Sequence, residues 1–184
     1  TIYCRHCHVA HSWQTIRNVT FGDVYYCSGQ SNMELPLTFT FSQNYTYGNI
    51  TRYNKYSNIR FFKPLTFATS DSNAYVIPSD PQYVWHRHHD LADLRLFAST
   101  CWYFAQSMVD RYKMSDINFG LISTAIGGSN IEAWIMNNTA NEACTGHIEC
   151  PNPDCGANFN AMVLPFVHMT IKAVLWYQGE NNVM

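Results

Sequence analysis

The chain has 184 residues, of which 47% are apolar or aromatic and 13% are charged, with a formal net charge of -2. This length and composition allow one globular domain with its own core. The few Lys and Arg residues are scattered, which excludes nucleic acid as an expected partner. No apolar run reaches the roughly 18 residues that a membrane span needs. The chain carries no export signal of its own, and its abrupt ends predict a fragment of a longer protein.

Several features favour the secretory pathway. Sequons of the form Asn-x-Ser/Thr occur at Asn18, Asn44, Asn49 and Asn137, and seven cysteines are present. Glycans and disulfides are both products of that pathway, so we expect a glycosylated protein that is secreted or lysosomal. Cys144, Cys150 and Cys155 lie close enough in the chain for one local disulfide.

A second cysteine cluster opens the chain. Cys4-Arg5-His6-Cys7-His8 matches a haem-attachment pattern, and with His11 it could supply zinc ligands. The pattern is short, and its cysteine and histidine spacing resembles no known zinc finger. A disulfide or a loop is the favoured reading, and no metal or other cofactor is predicted.

The first elements along the chain lead to Ser31. Residues 1–20 are polar and read as an edge strand or loop from a preceding region. Residues 21–27 form a β-branched and aromatic run that predicts a buried strand, ending in a tight turn at Ser28 and Gly29. Ser31 would therefore lie at the carboxyl end of a strand, where open α/β sheets gather their ligands and catalytic groups.

A loop, a strand and a helix are predicted next. Residues 38–58 have no apolar period and predict a surface loop that bears the glycans of Asn44 and Asn49. Residues 59–62 form a short strand candidate. Residues 91–113 predict one amphipathic helix with Asp90 as its N-cap. Its apolar positions recur at helical spacing: Leu91, Leu94, Phe97, Cys101, Phe104, Ala105, Met108 and Tyr112.

The strand-to-turn pattern then repeats twice. Residues 117–123 predict a buried strand that ends in a turn at Gly127 and Gly128, followed by a short helix over 132–136. A helix is predicted over 157–168 and a third buried strand over 171–177, which delivers polar residues 178–182 at its end. Alternating strands and helices predict an α/β domain with a mainly parallel sheet.

Serine-catalysed ester hydrolysis needs a hydroxyl at a sharp turn, a base, and N–H donors aimed at the oxyanion. Ser31 has the turn, although Met33 stands where a Gly-x-Ser-x-Gly elbow has its second glycine. From local sequence alone, a helix-capping serine is the simpler alternative.

Three segments in order resemble the sialate O-acetylesterase family of SGNH-type hydrolases. They are Phe-Gly-Asp-Val-Tyr-Tyr-Cys-Ser-Gly-Gln-Ser-Asn-Met at 21–33, Gly-Gly-Ser-Asn-Ile-Glu-Ala-Trp at 127–134 and Trp-Tyr-Gln-Gly-Glu-Asn-Asn at 176–182. The resemblance covers nearly the whole chain from about residue 19. Ser129 replaces the family's usual Thr, and Asn181 its usual Ser, so a small polar side chain is kept at both places.

The resemblance implies a flavodoxin-like, three-layer SGNH fold over residues 21–184 and a carboxylic ester hydrolase that needs no cofactor. Ser31 would be the nucleophile. Its N–H, an N–H of the Gly127 and Gly128 turn, and a side chain from the last segment would form the oxyanion hole. The candidates for that side chain are Gln178, Asn181 and Asn182. The implied substrate is an O-acetylated sialic acid or a related acetylated sugar.

The resemblance also implies that the domain is incomplete at its carboxyl end. The family's catalytic Asp and His follow the last segment, and this chain ends two residues after it. We expect the histidines present, His86, His88, His89, His147 and His168, to be ordinary surface or loop residues. The 184 residues alone should therefore show negligible esterase activity. An esterase for other acetylated polysaccharides and a non-catalytic carbohydrate-binding glycoprotein remain the alternatives.

Overall fold

A mainly parallel sheet lies at the centre of the protein. The computed structural model describes residues 17–64, 84–136 and 156–183. Within these residues the strands are β1 (Asp23–Gly29), β2 (Ile59–Phe62), β3 (His86–Arg87), β4 (Phe119–Ser123) and β5 (Ala173–Tyr177). The order is β3-β2-β4-β1-β5, and only β3 runs antiparallel to its neighbour. The predicted fold class is confirmed.

The described part of the chain also contains four α-helices and several shorter helical segments. The α-helices are α1 (Ser31–Glu34), α2 (Gln43–Tyr53), α3 (Leu91–Leu94) and α4 (Ser99–Tyr112). A π-helical turn spans Phe159–Val163, and 3-10 turns span Leu37–Phe39, Ile131–Trp134, Leu164–Phe166 and Glu180–Asn182. No helix of the described residues combines the length and apolarity needed to cross a membrane.

Packing on both faces of the sheet produces three layers. Successive side chains of a strand point to opposite faces. Accordingly, Tyr25 and Cys27 of β1 belong to the large core that α4 covers, whereas Tyr26 packs with Phe166 on the other face. Cys27 forms a disulfide with Cys101 of α4, with their Cα atoms 5.9 Å apart. The sequence had left this pairing open.

The single helix predicted over 91–113 is wrong, because the helix is interrupted between α3 and α4. Backbone groups of 95–99 bond to the segment after α1 instead of continuing a helix. Leu37 N–H donates to Phe97 O at 2.9 Å, and Ser99 N–H donates to Leu35 O at 2.8 Å. These long-range bonds satisfy the backbone at the break, so tertiary contacts override the apolar periodicity.

The loop predicted over 38–58 is also wrong over its middle, which forms α2. Only two of its residues, Thr46 and Ile50, are buried, and their spacing of four is a minimal helical period. Side chains within the helix bond to its backbone, as when Asn49 Nδ2 donates to Tyr45 O at 2.8 Å. The helix ends at Asn54 in the left-handed conformation, which is typical of a C-cap.

The third strand exists as predicted, but it is not buried. Within the described part of the chain β5 has one neighbour, β1, and lies at the edge of the sheet. Val174, Trp176 and Tyr177 are 60%, 43% and 48% exposed. An apolar run is typical of a strand covered on both faces, so it overstates the burial of an edge strand.

The prediction that the histidines of 86–89 are surface or loop residues is confirmed for His89, which is exposed in the turn after β3, but not for the other two. His86 belongs to β3, and His88 is buried, with Nε2 2.8 Å from Asn54 Oδ1. Several other predictions concern residues outside the described part of the chain. These are the cluster at Cys4, Cys7, His8 and His11, the cysteines Cys144, Cys150 and Cys155, the sequon at Asn137, and His147.

Candidate active site

Three polar segments meet at one edge of the sheet. β4, β1 and β5 are adjacent and parallel, so the residues that follow them lie side by side. These residues are Ser31 after β1, the glycine turn of Gly127 and Gly128 after β4, and the segment 178–182 after β5. The sequence placed each segment at a strand end, the family resemblance implied that the three form one site, and the structure brings them to the same edge.

A sharp turn delivers Ser31 to this edge. Gly29 has a φ of +143°, and a Cβ atom there would lie 1.9 Å from Tyr177 O, so only glycine fits. The carbonyl of Gln30 then accepts the N–H groups of Met33 and Glu34, both at 2.9 Å, and opens α1. Ser31 is the first residue of α1.

The Ser31 side chain does not cap the helix. The N-cap position is occupied by Gln30, and no side-chain capping bond is made there. Ser31 is exposed, and within the described residues its hydroxyl makes no hydrogen bond. The hydroxyl is thus open to an incoming group, which the capping alternative would not allow.

The glycine turn lies against Ser31 and is held by Glu34. The Gly127 N–H donates to Glu34 Oε2 at 2.6 Å. A Cβ atom added at Gly127 would lie 2.9 Å from that oxygen and 3.7 Å from Ser31 Cβ. Gly128 has a φ of +73°, and its N–H has no acceptor among the described residues. Of the two glycines, Gly128 has the free donor.

Asparagines of the third segment tie it to the glycine turn. Asn181 Nδ2 donates to Gly128 O at 2.8 Å and also contacts Asn130 Oδ1. Asn182 Nδ2 donates to Glu132 Oε2 at 3.0 Å. Both amides therefore hold the loops after β4 and β5 together.

Gln178 lies between these loops. Its Nε2 donates to Asn182 Oδ1 at 2.7 Å and to Ser129 O at 3.2 Å. Ser129 Oγ in turn accepts from Trp134 Nε1 at 2.9 Å. The side-chain amides of the three candidates for the oxyanion hole are all engaged in this structure, and the geometry leaves the choice between them open.

Three carboxylates bond to the segments that meet at this edge of the sheet. Glu34 bonds to Gly127, Glu132 bonds to Asn182, and Glu180 bonds to Asn32 Nδ2. Within the described residues, no Lys or Arg side chain hydrogen-bonds to these groups. The described part of the site is therefore acidic.

The histidines of the described residues lie away from Ser31. β3, which contains His86, is three positions from β1 in the sheet, or roughly 14 Å at the usual strand spacing. His168 precedes β5, whereas Ser31 follows the opposite ends of the strands. The described residues also contain no group of three or more metal-ligating His, Cys, Asp or Glu side chains.

Two residues of the site went unnoticed in the sequence. Gln30 and Glu34 flank Ser31 and make the contacts that join its turn to the neighbouring loops. The sequence offered one signal for them, because they lie beside Ser31 at the end of the segment that resembles the family. Their partners, more than 90 residues away, could not be inferred from local sequence.

The mainly parallel sheet and its layers define an α/β domain of the SGNH-type fold. The family model for carbohydrate esterases, described as sialic acid-specific acetylesterase, matches residues 21–184. The chain belongs to this family.

The chain is also similar to curated proteins in sequence and to a solved structure in fold. Human sialate O-acetylesterase is 28% identical over 178 residues, which cover 91% of this chain and 33% of the relative. The rat sialate O-acetylesterase is 26% identical over 204 residues, covering 91% and 36%. A carbohydrate acetylesterase from Xanthomonas citri shares the fold, with a TM-score of 0.66, 24% identity, and coverage of 88% and 33%. The chain thus spans about a third of the length of these relatives.

Proposed function

We propose that this chain carries the nucleophile and oxyanion hole of a serine esterase that removes O-acetyl groups from sugars. The observation that carries the proposal is the exposed Ser31 hydroxyl, which makes no hydrogen bond within the described residues and follows the central strand of three. Loops with backbone and amide donors flank it on both sides. Membership of the family supports the same chemistry.

The reaction would proceed in two steps. Ser31 Oγ attacks the acetyl carbonyl as a base takes its proton, and the tetrahedral intermediate expels the sugar oxygen, which regains a proton. Water then attacks the acetyl-serine as the base takes one of its protons, and Ser31 Oγ leaves, regains a proton and releases acetate. The Ser31 N–H and the Gly128 N–H would bind the developing oxyanion, with a side-chain amide from Gln178, Asn181 or Asn182 as the third donor. Gly127 would contribute by position, because its own N–H is bonded to Glu34.

Ser31 needs a base that the described residues do not place beside it. In the proposed enzyme an Asp and His pair from the part of the protein beyond residue 184 takes this role. A serine hydroxyl without a base is a poor nucleophile at neutral pH. The 184 residues alone should therefore hydrolyse esters negligibly.

The names of the relatives favour O-acetylated sialic acid as substrate. The charges favour a second candidate, a neutral acetylated polysaccharide. Sialic acid carries a carboxylate, and Glu34, Glu132 and Glu180 surround the glycine turn and the segment 178–182. A neutral acetylated sugar would meet no repulsion there.

Acetate release by the full-length product of the gene tests the function. We expect hydrolysis of an aryl acetate that Ser31→Ala abolishes, and none by the 184-residue chain. If the short chain is active and loses its activity on Ser31→Ala, the claim that it lacks the catalytic base is refuted. If the full-length protein is inactive, the non-catalytic carbohydrate-binding glycoprotein is the favoured alternative. Comparing O-acetylated sialic acid with acetylated xylan ranks the two substrates.

We also propose that the protein matures in the secretory pathway, as a secreted or lysosomal glycoprotein. The buried Cys27 and Cys101 disulfide supports this, because such bonds persist in oxidising compartments. Asn18 and Asn44 are exposed, and Asn44 lies on α2.

A further inference from the structure

Gln30 is a buried polar residue directly before Ser31. Its side chain is 3% exposed, and its Oε1 atom accepts hydrogen bonds from three donors of the segment after β5. They are the Gly179 N–H at 3.3 Å, the Asn181 N–H at 3.3 Å and Gln178 Nε2 at 3.4 Å. The segment 178–182 is therefore wrapped around one side-chain oxygen.

The backbone of Gln30 makes further contacts with both sides of the site. Its N–H donates to Tyr177 O at 2.9 Å, which extends the pairing of β1 with β5 by one residue. Its carbonyl accepts the first N–H groups of α1, the helix that begins at Ser31. A single residue thus joins the Ser31 turn to the segment that holds the side-chain candidates for the oxyanion hole.

The three bonds act together rather than singly. Each is longer than the usual 2.9–3.0 Å, so none is strong alone. Gly179 has a φ of +142°, a conformation that glycine adopts readily. Because glycine can also adopt many others, contacts from outside the segment are needed to hold this turn in one conformation. Without Gln30 Oε1, two backbone N–H groups would lose their acceptor and the segment would rearrange to find water.

We propose that Gln30 is a positioning residue, whose side-chain oxygen fixes the segment 178–182 against Ser31 so that an amide of this segment can reach the oxyanion. This inference rests on the proposed function for its catalytic consequence. The structural claim that the segment 178–182 depends on Gln30 does not rest on the proposed function.

The test replaces Gln30 in the full-length gene product and uses Gln106 as a matched control. Gln106 is also a buried glutamine, 8% exposed, and its Oε1 accepts from Trp102 Nε1 and Thr46 Oγ1 within the helical layer. Met has a similar length but no acceptor. We expect Gln30→Met to lower kcat on an aryl acetate at least tenfold with KM little changed. Gln106→Met should lower the melting temperature without changing kcat.

Amide hydrogen exchange provides the readout that does not depend on activity. A peptide covering residues 178–182 should exchange at least tenfold faster in Gln30→Met and at the wild-type rate in Gln106→Met. Gln30→Glu keeps an acceptor oxygen, so it should retain most of the protection. Unchanged exchange in Gln30→Met, or protection lost equally in Gln30→Glu, would overturn the role of Gln30. A wild-type protein without esterase activity would overturn the proposed function instead.

Discussion

Glu34 Oε2 accepts a hydrogen bond from the Gly127 N–H at 2.6 Å. Glu34 lies on α1, one helical turn after Ser31, so the helix that begins with the candidate nucleophile also holds the glycine turn. A bond to a carboxylate contributes roughly 1.5–3 kcal/mol. This contact therefore holds the turn that contains the Gly128 N–H against α1.

Removing the Glu34 carboxylate should impair the proposed reaction. If the free energy of this bond serves to position the glycine turn, Glu34→Ala in the full-length product should lower kcat on an aryl acetate about 10- to 100-fold. Glu34→Gln keeps an acceptor oxygen and should lose less. Steady-state kinetics of both variants provide the measurement, and wild-type kcat in Glu34→Ala would contradict the prediction.

Gly29→Ala should destabilise the protein. The new Cβ would meet Tyr177 O at 1.9 Å, and the φ of +143° is unfavourable for alanine, so β1 and β5 must separate at this end. We expect a loss of more than about 2 kcal/mol in the free energy of unfolding, measured by urea denaturation. Gly48→Ala on α2 is the control, because its Cβ would meet nothing within 4 Å and alanine favours helix by roughly 1 kcal/mol. Equal stability of the two variants would disprove this account.

The Cys27 and Cys101 disulfide should stabilise the fold. It closes a loop with a sequence separation of 74, which corresponds to about 4 kcal/mol of chain entropy in the unfolded state. The double variant Cys27→Ala/Cys101→Ala should therefore unfold at lower urea concentration. Identical denaturation midpoints for variant and wild type would show that the bond contributes nothing.

Protonation of His88 should destabilise the protein in acid. Burial lowers the pKa of His88, and the neighbouring His89 and Arg87 lower it further, against an opposing effect of Asp90. Its Nδ1 is buried and has no partner among the described residues, so an added proton finds no acceptor there.

The sign follows from comparing the folded and unfolded states. The unfolded state takes up a proton as the pH falls through 6.5, whereas the folded state does so only at lower pH. The free energy of unfolding should thus decrease as the pH drops below about 6.5, and it should level off below the pKa of His88 in the folded state. At higher pH His88 should have no effect. His88→Gln should flatten this dependence between pH 7.5 and 5.5; an unaltered slope in the variant would rule His88 out as its source.

Glycosylation can be read directly from mass. Exposed Asn18 and Asn44, together with Asn49, should carry glycans when the protein is expressed through a secretory pathway. Endoglycosidase treatment should lower the mass of the wild type, and each Asn→Gln substitution should remove one step. A single unmodified mass before treatment would refute the prediction.

The sequence predicted the site edge better than it predicted the helices. Tight turns after apolar runs located Ser31, Gly127 and Gln178 correctly at three strand ends, because strand and turn signals are local. α2 was missed since its buried positions, Thr46 and Ile50, are too few to form a visible stripe.

The remaining errors have the same physical origin. The break before Ser99 and the exposure of β5 depend on which segments lie next to them in space. The contacts of Gln30 and Glu34 across the site depend on it as well. No local pattern encodes such neighbours, so only the resemblance to a family pointed to the site as a whole.

The position of β1 between β4 and β5 also sets an order of events during synthesis. Both Cys27 and Cys101 have left the ribosome well before β5 exists, so the disulfide can close early. The bonds of Gln30 to Tyr177 and Gly179 must wait for β5. A nascent chain can thus form the disulfide that joins β1 to α4 while Ser31 still lacks the surroundings that would make it reactive.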